Sequence, residues 1–88
     1  MRLDKFLQIS RLVKRRAIAG ALCGKGRVRV NGNPAKASAA VNVGDVITIA
    51  FGDSRLVAKV LSVPERAVPS KECVEILTRV DVHSLAER

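Results

Sequence analysis

The chain has 88 residues, of which 48% are hydrophobic and 2% aromatic, and its formal net charge is +8. A chain of this length forms one small domain with a modest core, and the apolar fraction argues against a disordered basic tail. No apolar run reaches the roughly 20 residues of a membrane span. The polar residues that soon follow Met1 are unlike a signal peptide, so we expect a cytoplasmic protein.

The positive charge is concentrated in residues 1–36, which hold ten of the 16 Lys and Arg residues and one acid, Asp4. Residues 37–88 hold six basic and seven acidic residues. A positive field on one part of a small domain attracts a polyanion, and nucleic acid is the commonest one. A merely solvated charged face would mix both signs. An acidic protein partner remains an alternative interpretation.

A short helix is predicted at the start of the chain, because Leu3, Phe6 and Leu7 have i, i+3, i+4 spacing. Arg2 and Lys5 are three residues apart on another face, so both can point at one ligand. Ser10 is expected to end this helix.

A second helix is predicted from about Arg15 to Gly24, with Ala19, Leu22 and Cys23 facing the core and glycines at its end. It begins with Lys14-Arg15-Arg16, although cations at a helix N-terminus are unfavourable against the helix dipole. An external phosphate would offset that cost, which favours a nucleic-acid surface here.

Strands follow the helices. Strict alternation in Arg27-Val28-Arg29-Val30 places both valines on the core face and both arginines on the other. Asn31-Gly32 is a strong tight-turn signal. Residues 34–37 are predicted to return as an edge segment because of the proline.

Further strands are predicted over Val46–Phe51, with Ile47, Ile49 and Phe51 alternating, and over Arg55–Val63. The fold class is therefore α+β: two short N-terminal helices followed by a small, mostly antiparallel sheet of three or four strands. We place this domain at residues 1–63. Residues 64–88 are predicted as a C-terminal extension, weakly ordered or a short helix or strand, with helix favoured around Val74 and Leu77 and a frayed end at 83–88.

Catalytic and metal chemistry is not recognisable in the sequence. The single histidine, His83, is interpreted as an exposed tail residue, and no cluster has metal-ligand spacing. Cys23 and Cys73 are isolated, so we predict two buried free thiols rather than a disulfide or a metal site. No serine has a candidate base. We predict a protein that is not an enzyme and that holds no metal or cofactor.

The scarcity of aromatic residues bears on how RNA would be bound. There is no Trp or Tyr, and both Phe6 and Phe51 fit core positions. Base stacking on exposed aromatics is therefore disfavoured. A rigid basic surface fitted to the phosphate backbone of structured RNA or DNA is favoured instead.

Several of these motifs occur together in one known family. The segments Arg2-Leu3-Asp4-Lys5-Phe6-Leu7, Lys14-Arg15-Arg16 and Gly26-Arg27-Val28-Arg29-Val30-Asn31-Gly32, with Gly44-Asp45 before a strand, resemble the S-four RNA-binding domain, also called the αL motif. The resemblance covers roughly residues 2–51. In that family two helices and the following turn form an L-shaped basic surface that grips folded RNA.

The chain is similar to the stand-alone group of bacterial ribosome-associated quality control factor P proteins, and related to the heat-shock protein fifteen group, which usually has a longer basic C-terminal extension. The resemblance implies binding to a stalled large ribosomal subunit obstructed by peptidyl-tRNA, with contacts to large-subunit rRNA and to the tRNA. A NEMF-family factor, RqcH, would add an alanine tail to the nascent chain on the same subunit. We expect a monomer without membrane contact. The alternatives are a heat-shock-protein-fifteen-like subunit or tRNA binder, a binder of duplex DNA or free tRNA, and a basic protein-interaction module.

The resemblance also implies that Arg2 and Arg16 are central RNA contacts. Asp4 is expected to be structural, as a helix-start residue or as the partner of a neighbouring arginine. We extend the predicted RNA-binding footprint to Lys5, Arg11, Lys14, Arg15, Arg27, Arg29 and Lys36.

Overall fold

A computed structural model describes residues 1–66 and 70–80. Two helices precede a five-stranded antiparallel sheet with the strand order β2-β1-β3-β4-β5, which confirms the predicted fold class. The expected number of three or four strands was too low. The elements in chain order are α1 (Leu3–Ile9), α2 (Arg16–Gly24), β1 (Val28–Val30), β2 (Asn33–Pro34), β3 (Val46–Phe51), β4 (Ser54–Val60), α3 (Ser70–Cys73) and β5 (Val74–Val80).

Helix α1 is held by its apolar stripe and by a loop at its N-terminus. Leu3, Phe6 and Leu7 are fully buried, as their spacing predicts. The backbone N–H groups of Leu3 and Asp4 donate to the carbonyls of Ala39 and Ala37, at 2.8 and 3.1 Å. These bonds satisfy first-turn donors that have no partner inside the helix, so the loop after β2 replaces a side-chain cap.

The core lies between the two helices and one face of the sheet. Alternate residues of β1, β3 and β4 face it, and they cluster with the buried residues of α1 and with Ala19 and Cys23 of α2. The sheet residues of this face are Val28, Ile47, Ile49, Leu56, Ala58 and Val60. Leu22 and Val30 are partly buried against the same cluster. Since α1 and α2 both pack against this face, neither of them covers the opposite face of the sheet.

The predicted Asn31-Gly32 turn joins β1 to β2. Both residues have positive φ, 53° and 85°, the combination that a tight two-residue hairpin requires. The Asn31 side chain also fixes the hairpin to β3, because the Val46 N–H donates to Asn31 Oδ1 at 2.9 Å and Asn31 Nδ2 donates to Asp45 Oδ1 at 3.1 Å. The turn thus sets the register of the sheet edge.

Two glycine substitutions are expected to change stability in opposite directions. Gly32→Ala places a Cβ in the left-handed region and should destabilise the fold by about 1–2 kcal/mol. Gly20→Ala lies inside α2, where an added Cβ meets no atom within 4 Å, and should stabilise by about 0.5–1 kcal/mol through helix propensity. Urea unfolding of both variants measures the two shifts. If both variants changed the free energy of unfolding equally and in the same direction, the result would contradict the positive φ at Gly32.

The C-terminal part of the described chain differs from the expectation. The preference for helix around Val74 and Leu77 was wrong, because Val74–Val80 forms β5 and pairs with β4 through a register shift at Val57/Ala58. Strand β4 ends at Val60 rather than Val63. The domain boundary at 63/64 stays a prediction, although β5 pairs across it in the same sheet. The frayed end at 83–88 and His83 lie outside the described residues.

Phe51 is also placed differently from the prediction. Its side chain is 37% exposed and does not belong to the core cluster, whereas Phe6 is fully buried. Alternation correctly places Ile47 and Ile49 inside, but Phe51 is the last residue of β3 and pairs with Ser54 beside the turn. The assignment of both phenylalanines to the core was therefore wrong for one of them.

The two cysteines are free and buried, as predicted. Burial raises the pKa of both thiols, and Asp4 and Glu72 raise those of Cys23 and Cys73 further. Both thiols are therefore protonated and unreactive at neutral pH. Within residues 1–66 and 70–80, the structure contains no helix long and apolar enough to span a membrane.

Candidate nucleic-acid interface

A buried carboxylate lies at the centre of the N-terminal basic residues. Asp4, in the first turn of α1, is 7% exposed and is the one buried charged residue in the described part of the chain. Arg2 Nε donates to its Oδ1 at 3.2 Å and Arg16 Nε donates to its Oδ2 at 3.3 Å. The Lys5 backbone N–H also donates to Oδ1, at 2.8 Å. The expected pairing of Asp4 with a neighbouring arginine is thereby confirmed, and its structural role stays a prediction.

The balance of forces at Asp4 keeps it ionised. Burial alone raises its pKa, but the hydrogen bonds from Arg2, Arg16 and the Lys5 amide outweigh this effect and leave the pKa below its usual value of 3.8. A carboxylate that is charged at neutral pH holds two guanidinium groups from different helical segments, 14 residues apart in sequence. The contact between α1 and the start of α2 is thus electrostatic as well as apolar.

Both arginines still present much of their surface to solvent. The side chains of Arg2 and Arg16 are 53% and 46% exposed, although Arg2 donates to the carboxylate from Nε and Nη2 and Arg16 donates from Nε. Among the described residues, the terminal nitrogens of Arg16 have no hydrogen-bond partner. A guanidinium anchored at one edge and open at the other can bind a phosphate with its free edge.

Three more of the predicted contacts gather around the C-terminal end of α1. Lys5, Arg11 and Lys14 line one cavity of about 620 Å³, together with Gln8, Ile9 and Glu65. Arg11 lies in the connection between the helices and has a positive φ of 61°. The cavity therefore combines three cations from α1 and the loop that follows it with one acid.

Arg15 and Lys36 complete this side of the molecule. Arg15 is the exposed N-cap residue of α2 and supplies no side-chain cap, and the first turn of α2 contains no acid. Lys36 is exposed on the loop whose next residue, Ala37, accepts the Asp4 N–H. We use the name helical surface for the set Arg2, Lys5, Arg11, Lys14, Arg15, Arg16 and Lys36.

The two remaining predicted contacts lie elsewhere. Arg27 and Arg29 line a separate cleft of about 670 Å³ on the sheet, together with Lys25, Gly26, Thr48, Ala50 and Arg55. We call this the sheet cleft. Sequence reasoning did not include Arg55 among the binding residues, because Arg55 belongs to the half of the chain without excess charge. Arg55 reaches the cleft because it pairs with Ala50 of the neighbouring strand. The sequence pattern within a single strand does not show such a pairing.

Comparison with known proteins identifies relatives for most of the chain. A model of the S4 domain matches residues 1–47. The RQC P-site tRNA stabilizing factor of Halalkalibacterium halodurans is 49% identical over 65 residues, which cover 74% of each chain. The protein of that name from Bacillus subtilis is 50% identical over 60 residues, covering 68% of this chain and 70% of the relative. The one from Helicobacter pylori is 42% identical over 73 residues, covering 82% and 87%.

Two solved structures share the fold. The trimeric structure of Vibrio cholerae heat shock protein 15 superposes with a TM-score of 0.79 at 25% identity, covering all of this chain and 88% of the other. The solution structure of the hypothetical protein HP1423 gives a TM-score of 0.73 at 39% identity, covering 89% and 98%.

Proposed function

The chain belongs to the S4 domain family and is related throughout most of its length to RQC P-site tRNA stabilizing factors, and on this premise we propose that it is a non-enzymatic RNA-binding factor of ribosome-associated quality control. It binds a large ribosomal subunit obstructed by peptidyl-tRNA and contacts both large-subunit rRNA and the tRNA. By holding the tRNA in place, it supports the alanine tailing that RqcH carries out on the same subunit. It acts in the cytoplasm as a monomer.

The observation that carries this proposal is the pair of arginines fixed on Asp4. Arg2 is anchored through Nε at 3.2 Å and Nη2 at 3.4 Å, and Arg16 is anchored through Nε at 3.3 Å. About half of each side chain is nevertheless exposed. Ordering a long basic side chain on binding ordinarily costs conformational entropy, and here the carboxylate has already reduced that cost. Two pre-oriented arginine forks suit the phosphates of a folded RNA backbone better than they suit a mobile acidic peptide.

The rest of the helical surface adds long-range attraction. Lys5, Arg11 and Lys14 surround one cavity, and Arg15 begins a helix that contains no acid in its first turn. Contacts of this kind position an RNA and raise its association rate, but they do not read its sequence. Recognition therefore depends on the shape of a structured RNA.

A second candidate is a factor of the heat-shock-protein-15 type that binds large subunits or tRNA outside tailing. The observation in its favour is the TM-score of 0.79 over the whole chain. A basic protein-interaction module has less support, because the helical surface consists of cations around one buried carboxylate. A pull-down with and without RNase distinguishes this module from an RNA-binding factor, because a directly bound protein partner would remain bound after RNase treatment.

The experiment that tests the proposal is sedimentation of the purified protein with defined particles. We expect co-sedimentation with large subunits that carry peptidyl-tRNA and weaker recovery with large subunits that lack tRNA. Intact ribosomes and small subunits are the controls, and they should leave the protein at the top of the gradient. Recovery with small subunits, or equal recovery with every particle, would contradict the proposed target.

The salt dependence of this binding is a further prediction. If about 5–7 phosphates are engaged, log K should fall with log salt with a slope of about −4 to −6. Titrations of fluorescently labelled protein with tRNA-carrying large subunits at several salt concentrations give this slope. A slope near zero would show that the cations of the helical surface do not carry the binding.

A further inference from the structure

We propose that the sheet cleft is a second phosphate-binding surface, which holds another stretch of structured RNA backbone while the helical surface holds the first, and that Arg55 is one of its contacts. The inference rests on the proposed function and adds to it a second, separate place on the protein where RNA is held.

Within residues 1–66 and 70–80, four cations and no acid line the sheet cleft. Lys25 and Arg27 precede β1, Arg29 lies in β1, and Arg55 lies in β4. The other lining residues are Gly26, Thr48 and Ala50, which are small. Long basic side chains around a floor of small residues leave a volume of about 670 Å³. Such a shape admits a ribose-phosphate chain with cations along its sides.

Strand pairing explains why cations distant in sequence meet here. Arg29 pairs with Thr48 across β1 and β3, and Ala50 pairs with Arg55 across β3 and β4. The Ala50 N–H donates to the Arg27 carbonyl at 2.8 Å, which continues the same ladder. The lining residues of β1 and β3 alternate with Val28, Ile47 and Ile49, which face the core. The cleft therefore opens on the face of the sheet opposite the helices.

The charges in the cleft are not balanced within the described part of the chain. Among the described residues, the ion pairs are those that Asp4 forms with Arg2 and Arg16, outside the cleft. Neither Arg27 nor Arg55 has a side-chain hydrogen bond to a described residue. Arg29 Nη1 donates to the Gly32 carbonyl only at the long distance of 3.5 Å. By contrast, Lys59 on the same strand as Arg55 pairs in register with the acid Glu75. Cations gathered without a counter-charge repel one another, and a bound polyanion removes that repulsion.

The composition of the cleft favours RNA backbone over a protein partner. Protein interfaces depend on buried aromatic or apolar anchors at their centre. Among the residues that the structure describes, Ala50 is the one hydrophobic side chain lining the cleft, and no aromatic residue lines it. The cleft offers charge and small polar surface, which match phosphate and ribose.

The sheet cleft and the helical surface have residues at opposite ends of α2. Arg16 begins α2 and Lys25 follows its last residue, so the nine-residue helix separates them by about 13 Å. The helices also cover the other face of the sheet. One protein could thus contact two RNA segments at once, as expected of a factor that contacts both rRNA and tRNA.

The first test is the double substitution Arg27→Gln with Arg55→Gln, compared with Lys59→Gln and wild type. We expect the double variant to bind large subunits carrying peptidyl-tRNA about tenfold more weakly at moderate salt. Its salt slope should be smaller in magnitude by about 1.4–1.8, for two lost phosphate contacts. Lys59→Gln should stay within about twofold of wild type. Equal weakening by Lys59→Gln, or an unchanged slope in the double variant, would overturn the second surface.

The second test identifies what occupies the cleft. The photo-reactive residue p-benzoylphenylalanine replaces Thr48 in the cleft or, separately, the exposed Gln8, which lines the cavity beside Lys5, Arg11 and Lys14 of the helical surface. The complex with tRNA-carrying subunits is then irradiated. A crosslink from position 48 to RNA supports the proposal, and sequencing that RNA distinguishes rRNA from tRNA. A crosslink from position 48 to a ribosomal protein overturns the proposal. The absence of any crosslink from position 48, when position 8 does crosslink to RNA, also overturns it. Failure of both positions to reach RNA would overturn the proposed function as well.

Discussion

Substitution of Arg16 by alanine is expected to reduce binding to tRNA-carrying large subunits by about 10–100-fold while the fold stays intact. Losing a charge-assisted hydrogen bond to phosphate costs about 1.5–3 kcal/mol, which corresponds to this range. The fold should tolerate the change because Asp4 keeps Arg2 and the Lys5 amide as partners. The Arg16 side chain is 46% exposed, so solvent screening limits the loss of stability to about 1 kcal/mol or less.

The measurement pairs a binding titration with urea unfolding of the same variant. Lys59→Ala is the matched control, because it also removes one exposed cation but lies on β4 and pairs in register with Glu75. We expect that control to bind almost as well as wild type. If Arg16→Ala bound as tightly as wild type, the arginine pair would not be part of the interface. If Arg16→Ala and Lys59→Ala lost equal affinity, Arg16 would contribute only through the net charge of the protein.

The parts of the fold that the sequence predicts correctly are those set by local signals. The spacing of Leu3, Phe6 and Leu7 predicts α1, and Asn31-Gly32 predicts the hairpin turn, because each pattern is complete within a few residues. The bounds of β3 were also predicted correctly, since Ile47, Ile49 and Phe51 alternate within Val46–Phe51.

The parts that were missed depend on contacts across the chain. Strand β5 has exposed residues from Glu75 to Val80 and a register shift in its pairing. In its sequence Val74, Ile76 and Val80 lie at even spacings, as in a strand, but Val74 and Leu77 also fit a helix. The local pattern therefore does not decide between the two, and the pairing with β4 makes the segment a strand. Phe51 follows the alternation of β3, but its burial depends on whether another element covers the strand end. Local pattern does not contain that information.

The candidate site divides in the same way. The cation-rich segments could be predicted from charge, but the division of the footprint into two surfaces follows from the sheet and its register. Arg27 and Arg29 alternate with a buried valine and so face away from the helices. Arg55 joins them only because β3 lies between β1 and β4. The position of Arg16 on Asp4 likewise needs α1 and α2 to pack together.

Substitution of Asp4 by asparagine separates positioning from net charge, because the two explanations predict opposite signs. The variant has one negative charge fewer, so an interface governed by charge alone would bind RNA more tightly. If Asp4 orients Arg2 and Arg16, the variant should bind tRNA-carrying large subunits about 3–10-fold more weakly, because both side chains must then be ordered on binding. Tighter binding by Asp4→Asn would contradict the positioning role.

The same substitution has a defined dependence on pH. The folded-state pKa of Asp4 lies below its usual value of 3.8, so the folded state binds the proton more weakly than the unfolded state does. The stabilisation is therefore complete above the unfolded pKa, and it is lost as pH falls through the folded pKa. Wild type should be more stable than Asp4→Asn at pH 7, and the difference should shrink as pH falls below about 4. Urea unfolding at pH 7 and at several values below pH 4 measures this difference. A difference that stays constant with pH would mean that the Asp4 charge does not stabilise the fold, and the two arginines would then need another explanation for their placement.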